Sequence, residues 1–260
     1  MSDPLRLDGR RALVTGASAG IGRAIAKDAV HRGARAVVNA RREGLLRELA
    51  FELGADRVAV VPGDACDQGV VDRLFQTARD RFGEEADLVV VNAGRGLSGS
   101  VTTSDPSQWE EMIRTNVLGA ARLMRAAAHR LLADIEASGV SWQQEARDIV
   151  VLGSTVGRHI SPFSSMYGST KFAVNSLAEA LRRELGPKGV RVTLIEPGFV
   201  RSEFQGVAGY ADDWFAQVVE RIGPVLTPED CAEIISFIAS RPPQVHLSDA
   251  LIRPTRQDYP

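Results

Sequence analysis

A stretch of small residues near the start of this chain limits its fold more than any other feature. Arg11–Thr15 (RALVT) is a short β-rich run, residues 16–22 (GASAGIG) are small and flexible, residues 23–31 read as a helix ending near Gly33, and residues 36–40 are a second apolar run. Strand, turn, helix and strand in that order make a βαβ unit, and such a crossover implies a parallel sheet. Gly16, Gly20 and Gly22 are spaced G-x-x-x-G-x-G. The spacing differs from the G-x-G-x-x-G dinucleotide fingerprint, but the physics carries over. A turn without Cβ atoms lets the backbone approach a pyrophosphate, and the following helix offers free N–H groups and the positive end of its dipole. The bland alternative is a tight strand-to-helix turn with no ligand.

The rhythm continues along the chain. Helices are expected over Glu43–Leu53, 67–82, 106–133, 167–185 and 227–240; strands are expected over 57–61, 87–91, 149–152, 191–195 and 245–252. Ser104 or Asp105 is placed to cap the long fourth helix. Thr227 and Pro228 stand as N-cap and first helical residue of the last one. Continuous apolar runs in place of alternation suit strands covered on both faces. At 260 residues and 44% apolar, the chain fits one large α/β domain spanning 1–260, a doubly wound parallel sheet of about seven strands with helices on both faces. Two segments interrupt the pattern. Residues 134–147 read as a surface insertion in which Trp142 packs somewhere. Residues 199–222 carry Phe204, Tyr210, Trp214 and Phe215, and read as a substrate lid or as a helix-containing excursion with aromatic anchors.

The overall composition excludes several classes. A net charge of -2 gives no reason to expect nucleic-acid binding, and no run of 18 apolar residues suggests a membrane span. The N-terminus, MSDPLRLDGRRALV, has no apolar signal core. Cys66 and Cys231 stand apart and the four histidines are scattered, so no metal site is expected and the thiols read as reduced and inert. A cytoplasmic location fits these features.

The chemistry concentrates between Ile149 and Glu179. Ser154 ends an apolar run, and Tyr167 and Lys171 lie four apart, on one helical face. They would converge at the carboxyl end of a strand, where open α/β sheets place their ligands. A phenol titrates near pH 10 when free; an ammonium within about 4–6 Å lowers that by about 1–3 units. Tyr167 with Lys171 thus makes a general acid/base, and Ser154 can hold a carbonyl or alcohol oxygen against it. By itself Tyr-x-x-x-Lys could equally be a half-buried Tyr beside a solvated Lys. The second strand ends in Asn39-Ala40-Arg41-Arg42, without the carboxylate that usually binds the ribose hydroxyls of NAD. Two guanidinium forks suit the 2′-phosphate of NADP, which predicts NADP over NAD.

Taken together, Thr15-Gly16-Ala17-Ser18-Ala19-Gly20-Ile21-Gly22, Asn92-Ala93-Gly94, Asn116, Ser154, Tyr167-Gly168-Ser169-Thr170-Lys171 and Pro197-Gly198 resemble the short-chain dehydrogenase/reductase family over nearly the full length. The resemblance implies a Rossmann-type fold and an NADP-dependent oxidoreductase acting on alcohols, ketones or aldehydes. It implies a catalytic tetrad of Asn116, Ser154, Tyr167 and Lys171, with the Asn116 backbone supporting a proton relay and Lys171 also binding the nicotinamide ribose. Ser18 and Ile21 would join the three glycines at the cofactor, Asp64 and Ala65 would lie beside the adenine, and Asn92, Ala93 and Gly94 near the adenosine ribose. Pro197, Gly198, Val200 and Ser202 would border the nicotinamide. Val91 stands where the family usually has Asn, and Ser202 where it usually has Thr. The ending Leu251-Ile252-Arg253-Pro254-Thr255 looks like NADP-dependent members that handle small alcohols, hydroxy acids or aldehydes. Family members are commonly homotetramers or homodimers joined through the helices expected here over 106–133 and 167–185.

The substrate would sit among residues 95–97, 153–163 and 199–215. Arg95, His159, Phe163, Phe204, Tyr210 and Trp214 are the candidate contacts, with Arg158 a further polar candidate. A non-catalytic NADP-binding sensor or scaffold, and an isomerase, epimerase or dehydratase on the same fold, are the other function classes considered.

Overall fold

The computed structural model describes residues 5–259, with only the backbone at residue 212; residues 1–4 and 260 of the expected 1–260 domain lie outside it. Seven parallel strands form one sheet: β1 (Arg11–Thr15), β2 (Arg35–Ala40), β3 (Val58–Pro62), β4 (Leu88–Val91), β5 (Arg147–Leu152), β6 (Val190–Pro197) and β7 (Asp249–Ile252), in the spatial order β3-β2-β1-β4-β5-β6-β7. Neighbouring residues of one strand serve opposite cores. Val14 and Val38 join α1 (Gly20–His31), α2 (Glu43–Leu53) and the C-terminal helix Pro228–Ala239 on one face. Leu13 and Val37 join α3 (Gln68–Phe82), the helix Ala120–Ser138 and the helix Ser165–Leu185 on the other. This two-sided burial is why the strands read as unbroken apolar runs.

Strand order reverses between β1 and β4, so the loops leaving their carboxyl ends diverge and open a crevice. At the opposite ends of the strands Arg10, Asp87, Asp148 and Arg191 form a buried ion network, with Arg10 bonded to Asp87 at 2.6 Å and to Asp148 at 2.7 Å.

The structure redraws several expected elements. The long helix 106–133 is four pieces: a 3₁₀ turn (Pro106–Gln108), α4 (Trp109–Ile113), a π-helical turn (Arg114–Gly119) and α5 (Ala120–Ser138). Asp105, not Ser104, caps its start, accepting from Ser107 N at 3.0 Å, while Ser104 accepts from Trp109 Nε1. The insertion 134–147 shrinks at both ends. Its first residues are the last turn of α5, and Arg147 begins β5, buried and paired to Asp134 at 2.7 Å. Trp142 packs over Gly189, where a Cβ would collide with it. The helix over 167–185 starts earlier, as α6 (Ser165–Leu185), and the last strand starts only at Asp249. Segment 199–222 contains α7 (Phe204–Val207) and α8 (Asp212–Ile222). α9 (Pro228–Ala239) opens on the expected cap: Thr227 and Asp230 form a reciprocal capping box.

Candidate active site

A cavity of about 880 Å³ lies above the carboxyl ends of the strands at the point where their order reverses. Its floor is the turn between β1 and α1. Gly16 and Gly20 take positive φ of 68° and 53°, and a Cβ on Gly22 would strike the Gly16 carbonyl. Glycine at these places is a steric requirement. α1 enters with no side-chain cap at Ala19 and no acid in its first turn, so its positive end faces the cavity uncompensated. Thr15 and Asn92 lock the turn to β4. Asn92 Nδ2 donates to Thr15 O at 2.8 Å and to Gly16 O at 3.4 Å, and Thr15 Oγ1 accepts from the amides of Asn92 and Ala93. The side chain of Asn92 therefore braces the floor from below, in addition to lining the cavity.

At one end stand Arg41, Arg42 and Asp64. Arg42 Nη1 lies 2.9 Å from Glu203 Oε2, and its Nε donates to Ser18 Oγ at 3.2 Å. Arg41 reaches Glu111 at 3.7 Å. Burial works against the charge of Asp64, but the Cys66 amide and Arg114, 2.7 Å away, outweigh it and hold the carboxyl below its usual range.

At the other end the reacting groups meet. Ser154 follows β5; its Oγ accepts from Val156 N, lies 3.4 Å from Pro197 O, and is close enough to the Tyr167 hydroxyl to favour its ionised form. Tyr167 and Lys171 are buried on the first turns of α6, with Lys171 Nζ 5.9 Å from the Tyr167 ring centre and donating to Leu152 O at 2.7 Å. Burial pushes the Tyr167 phenol well above its ordinary value, and the nearby Ser154 hydroxyl only partly opposes it. The expected lowering by Lys171 is therefore not what this site does by itself. Burial also weakens Lys171, whose pKa falls to about 8.

Asn116 sits in the π-helical turn, buried behind the cavity wall. Its Oδ1 accepts from Arg95 N at 2.8 Å, and its Nδ2 donates to Arg95 O at 2.8 Å and Thr170 Oγ1 at 3.0 Å. One amide thus clamps the loop after β4 to α6. Helical turns of this kind commonly mark functional positions, because the extra residue re-aims side chains.

The aromatic wall comes from the 199–222 segment. Phe204 lies 5.5 Å from Tyr167, centre to centre; Tyr210 stacks on Trp214 at 4.7 Å; and Phe199 meets Trp214 at 6.1 Å. Every expected cofactor residue lines the cavity, as do Arg95, Phe163, Phe204, Tyr210 and Trp214. Arg95 also bonds Gln108. His159 is exposed and outside it, and Arg158 is spent on Glu196 and Asp249. Sequence reasoning found Trp214 but missed the rest of the inner face of α8, where Gln217, Val218 and Arg221 also line the cavity. Their i, i+3, i+4, i+7 spacing was the available signal. It also missed Gln257, which accepts from Phe199 N at 3.0 Å across 58 residues and left no local trace. No cluster able to hold a metal occurs among the described residues.

Fold and cavity together define a doubly wound α/β protein with a ligand crevice at its topological switch point. A family model described as short chain dehydrogenase matches residues 10–211, and the chain belongs to that family. An uncharacterised oxidoreductase of Staphylococcus aureus (strain MW2) is 31% identical over 243 residues, covering 94% of this chain and 96% of that one. A serine dehydrogenase solved in a closed form with NADP+ superposes with a TM-score of 0.83 at 30% identity, covering 96% of each chain. A 3-ketoacyl-(acyl-carrier-protein) reductase from Brucella melitensis, solved with NADH, gives 0.83 at 26% identity, over 96% of this chain and 99% of that one.

Proposed function

We propose that this chain transfers a hydride between NADP(H) and an alcohol or carbonyl substrate. The observation that carries the reading is the buried meeting of Ser154, Tyr167 and Lys171 beside a glycine turn that opens a helix into the same cavity. The residues present fit a dinucleotide: the glycines let the turn fold tightly onto Asn92 and its own backbone beneath the cavity, and α1 enters that cavity without a competing acid. When bound, the nicotinamide supplies the hydride chemistry. Ser154 orients the substrate oxygen. Tyr167 gives or takes its proton at the phenol oxygen. Lys171 holds its ammonium near that phenol and is placed to bind the adjoining ribose, and Asn116 holds the loop and α6 in register behind them. A positive charge near Tyr167 would oppose the upward pull of burial, so the phenol is tuned to work with the cofactor in place.

Two solved relatives carry different cofactors, NADP+ and NADH. The choice here rests on Arg41 and Arg42 just after β2, whose last residues, Asn39 and Ala40, offer no carboxylate to the ribose hydroxyls of NAD. The 199–222 segment acts as the substrate lid, with a mixed pocket of aromatic walls. Phe172 and Leu177, half exposed on α6, support assembly into a homodimer or homotetramer through that helix. No helix among the described residues is long and apolar enough to cross a membrane, which fits the proposed cytoplasmic setting. The test is a panel of alcohols and carbonyl compounds followed at the NADPH absorbance band. Substrate-dependent change with NADP(H), exceeding that with NAD(H), is expected; no change with either cofactor across the panel would favour a binding-only protein.

A further inference from the structure

Arg42 is already engaged in this structure. Its Nη1 is held by Glu203, 161 residues away in sequence, and its Nε by Ser18. Glu203 belongs to the base of the proposed lid. Ser202, just before it, packs against the phosphate turn, where a Cβ on Gly20 would touch Ser202 Cβ at 3.4 Å. Phe204, just after it, lies on the Tyr167 ring. Arg201 and Leu226 tie the two ends of the lid together by backbone bonds, Arg201 N to Leu226 O at 2.8 Å and Leu226 N to Phe199 O at 3.0 Å.

A 2′-phosphate binding Arg42 in a bidentate fork needs N–H groups that Glu203 and Ser18 now occupy, and it brings negative charge beside the Glu203 carboxylate. The two anions compete for one cation. The ion pair is half exposed, with side-chain exposures of 50% and 59%, so it is weak enough to exchange.

Building on the NADP reading above, we infer that Glu203 is a specificity-determining residue: its carboxylate occupies the 2′-phosphate site of Arg42 in the free protein and leaves it when NADP binds. Arrival of the phosphate frees the base of the lid beside Tyr167. NAD, which has no 2′-phosphate, leaves the Arg42–Glu203 pair closed. Glu203 thereby narrows the preference for NADP and couples cofactor choice to the state of the substrate lid.

The probes are adenosine 2′,5′-bisphosphate and adenosine 5′-monophosphate, which differ only in that phosphate, titrated calorimetrically into the full chain. Glu203→Gln removes the charge and keeps the shape. It is expected to tighten the bisphosphate about two- to fivefold, the range an exposed ion pair allows, and to leave the monophosphate unchanged. Hydrogen exchange gives a second reading. In the wild type, amides of 203–207 should exchange faster with the bisphosphate than with the monophosphate, and the two should match in Glu203→Gln. An equal effect on both probes, no effect, or weaker bisphosphate binding in Glu203→Gln would overturn the competition. A wild type that binds both probes equally would instead overturn the NADP reading itself, and the competition with it.

Discussion

The two halves of the cavity are built in opposite ways. The floor under the phosphate turn is crowded with backbone: a Cβ on Gly22 would strike the Gly16 carbonyl and one on Gly16 would press on Asn92 Nδ2 and the Ala93 backbone. The proposed lid meets the cavity through rings, Phe204 against Tyr167 and both Tyr210 and Phe199 against Trp214, and Gly206 within it meets nothing within 4 Å. Backbone against backbone leaves no slack, whereas ring against ring can re-pack. One half of the cavity is thus rigid and the other adaptable, which matches the proposed cofactor and substrate ends.

The largest expected effect tests the rigid half. Gly22→Ala should abolish cofactor binding, read by calorimetry, because a carbonyl cannot step aside as a side chain can. Gly206→Ala should leave binding intact and raise stability by a few tenths to about 1 kcal/mol, read by urea denaturation. Similar behaviour of the two variants would erase the contrast.

Tyr167→Phe should come next, lowering turnover about 10²–10⁴-fold with cofactor affinity unchanged, since only the proton handle is lost. Turnover close to wild type would remove Tyr167 from the chemistry.

Lys171 sharpens the comparison through pH. Its pKa is lowered by burial from its ordinary value of 10.5 to about 8. The unfolded chain therefore binds the extra proton between about pH 8 and 10.5, so cofactor-free stability rises with pH across that window. Lys171→Met lacks this titration. It should be the more stable form below pH 8, by at most about 3 kcal/mol, with the gap closing towards pH 10.5. A gap that does not change with pH would show that the ammonium is solvated.

Trp214→Ala should have the smallest effect on folding and a selective one on function. It removes the ring shared by Tyr210 and Phe199, so KM should rise several-fold or the substrate range widen, while the melting temperature moves little. Loss of cofactor affinity equal to the loss in KM would mean that the two halves are not separable.

Much of this was legible in the sequence because its causes are local. Runs such as Leu88–Val91 are apolar throughout because both faces are covered, and the Tyr167–Lys171 spacing is fixed by helical geometry. What was not legible depended on distant partners. Residues 106–133 read as one helix because residue type does not distinguish an i→i+5 turn from an i→i+4 one, and the partner that fixes Asn116 there, the Arg95 backbone, is distant in sequence. Arg158 and His159 look alike as polar loop candidates. Only the fold shows Arg158 bound to a buried Glu196 and His159 facing outward.

The sequence by itself determined the parallel sheet, the glycine turn that no other residue could form, and the identity of the groups able to move a proton. Spacing and residue type act within a few positions of themselves, so those features needed no neighbours from elsewhere in the chain. Tertiary structure decided the states of those groups. Burial raised the Tyr167 phenol and weakened the Lys171 ammonium, the lid brought Glu203 across 161 residues to Arg42, and Gln257 closed over Gly198 from the far end of the chain. Desolvation and long-range pairing depend on what lies alongside a residue in space, which the order of residues does not state.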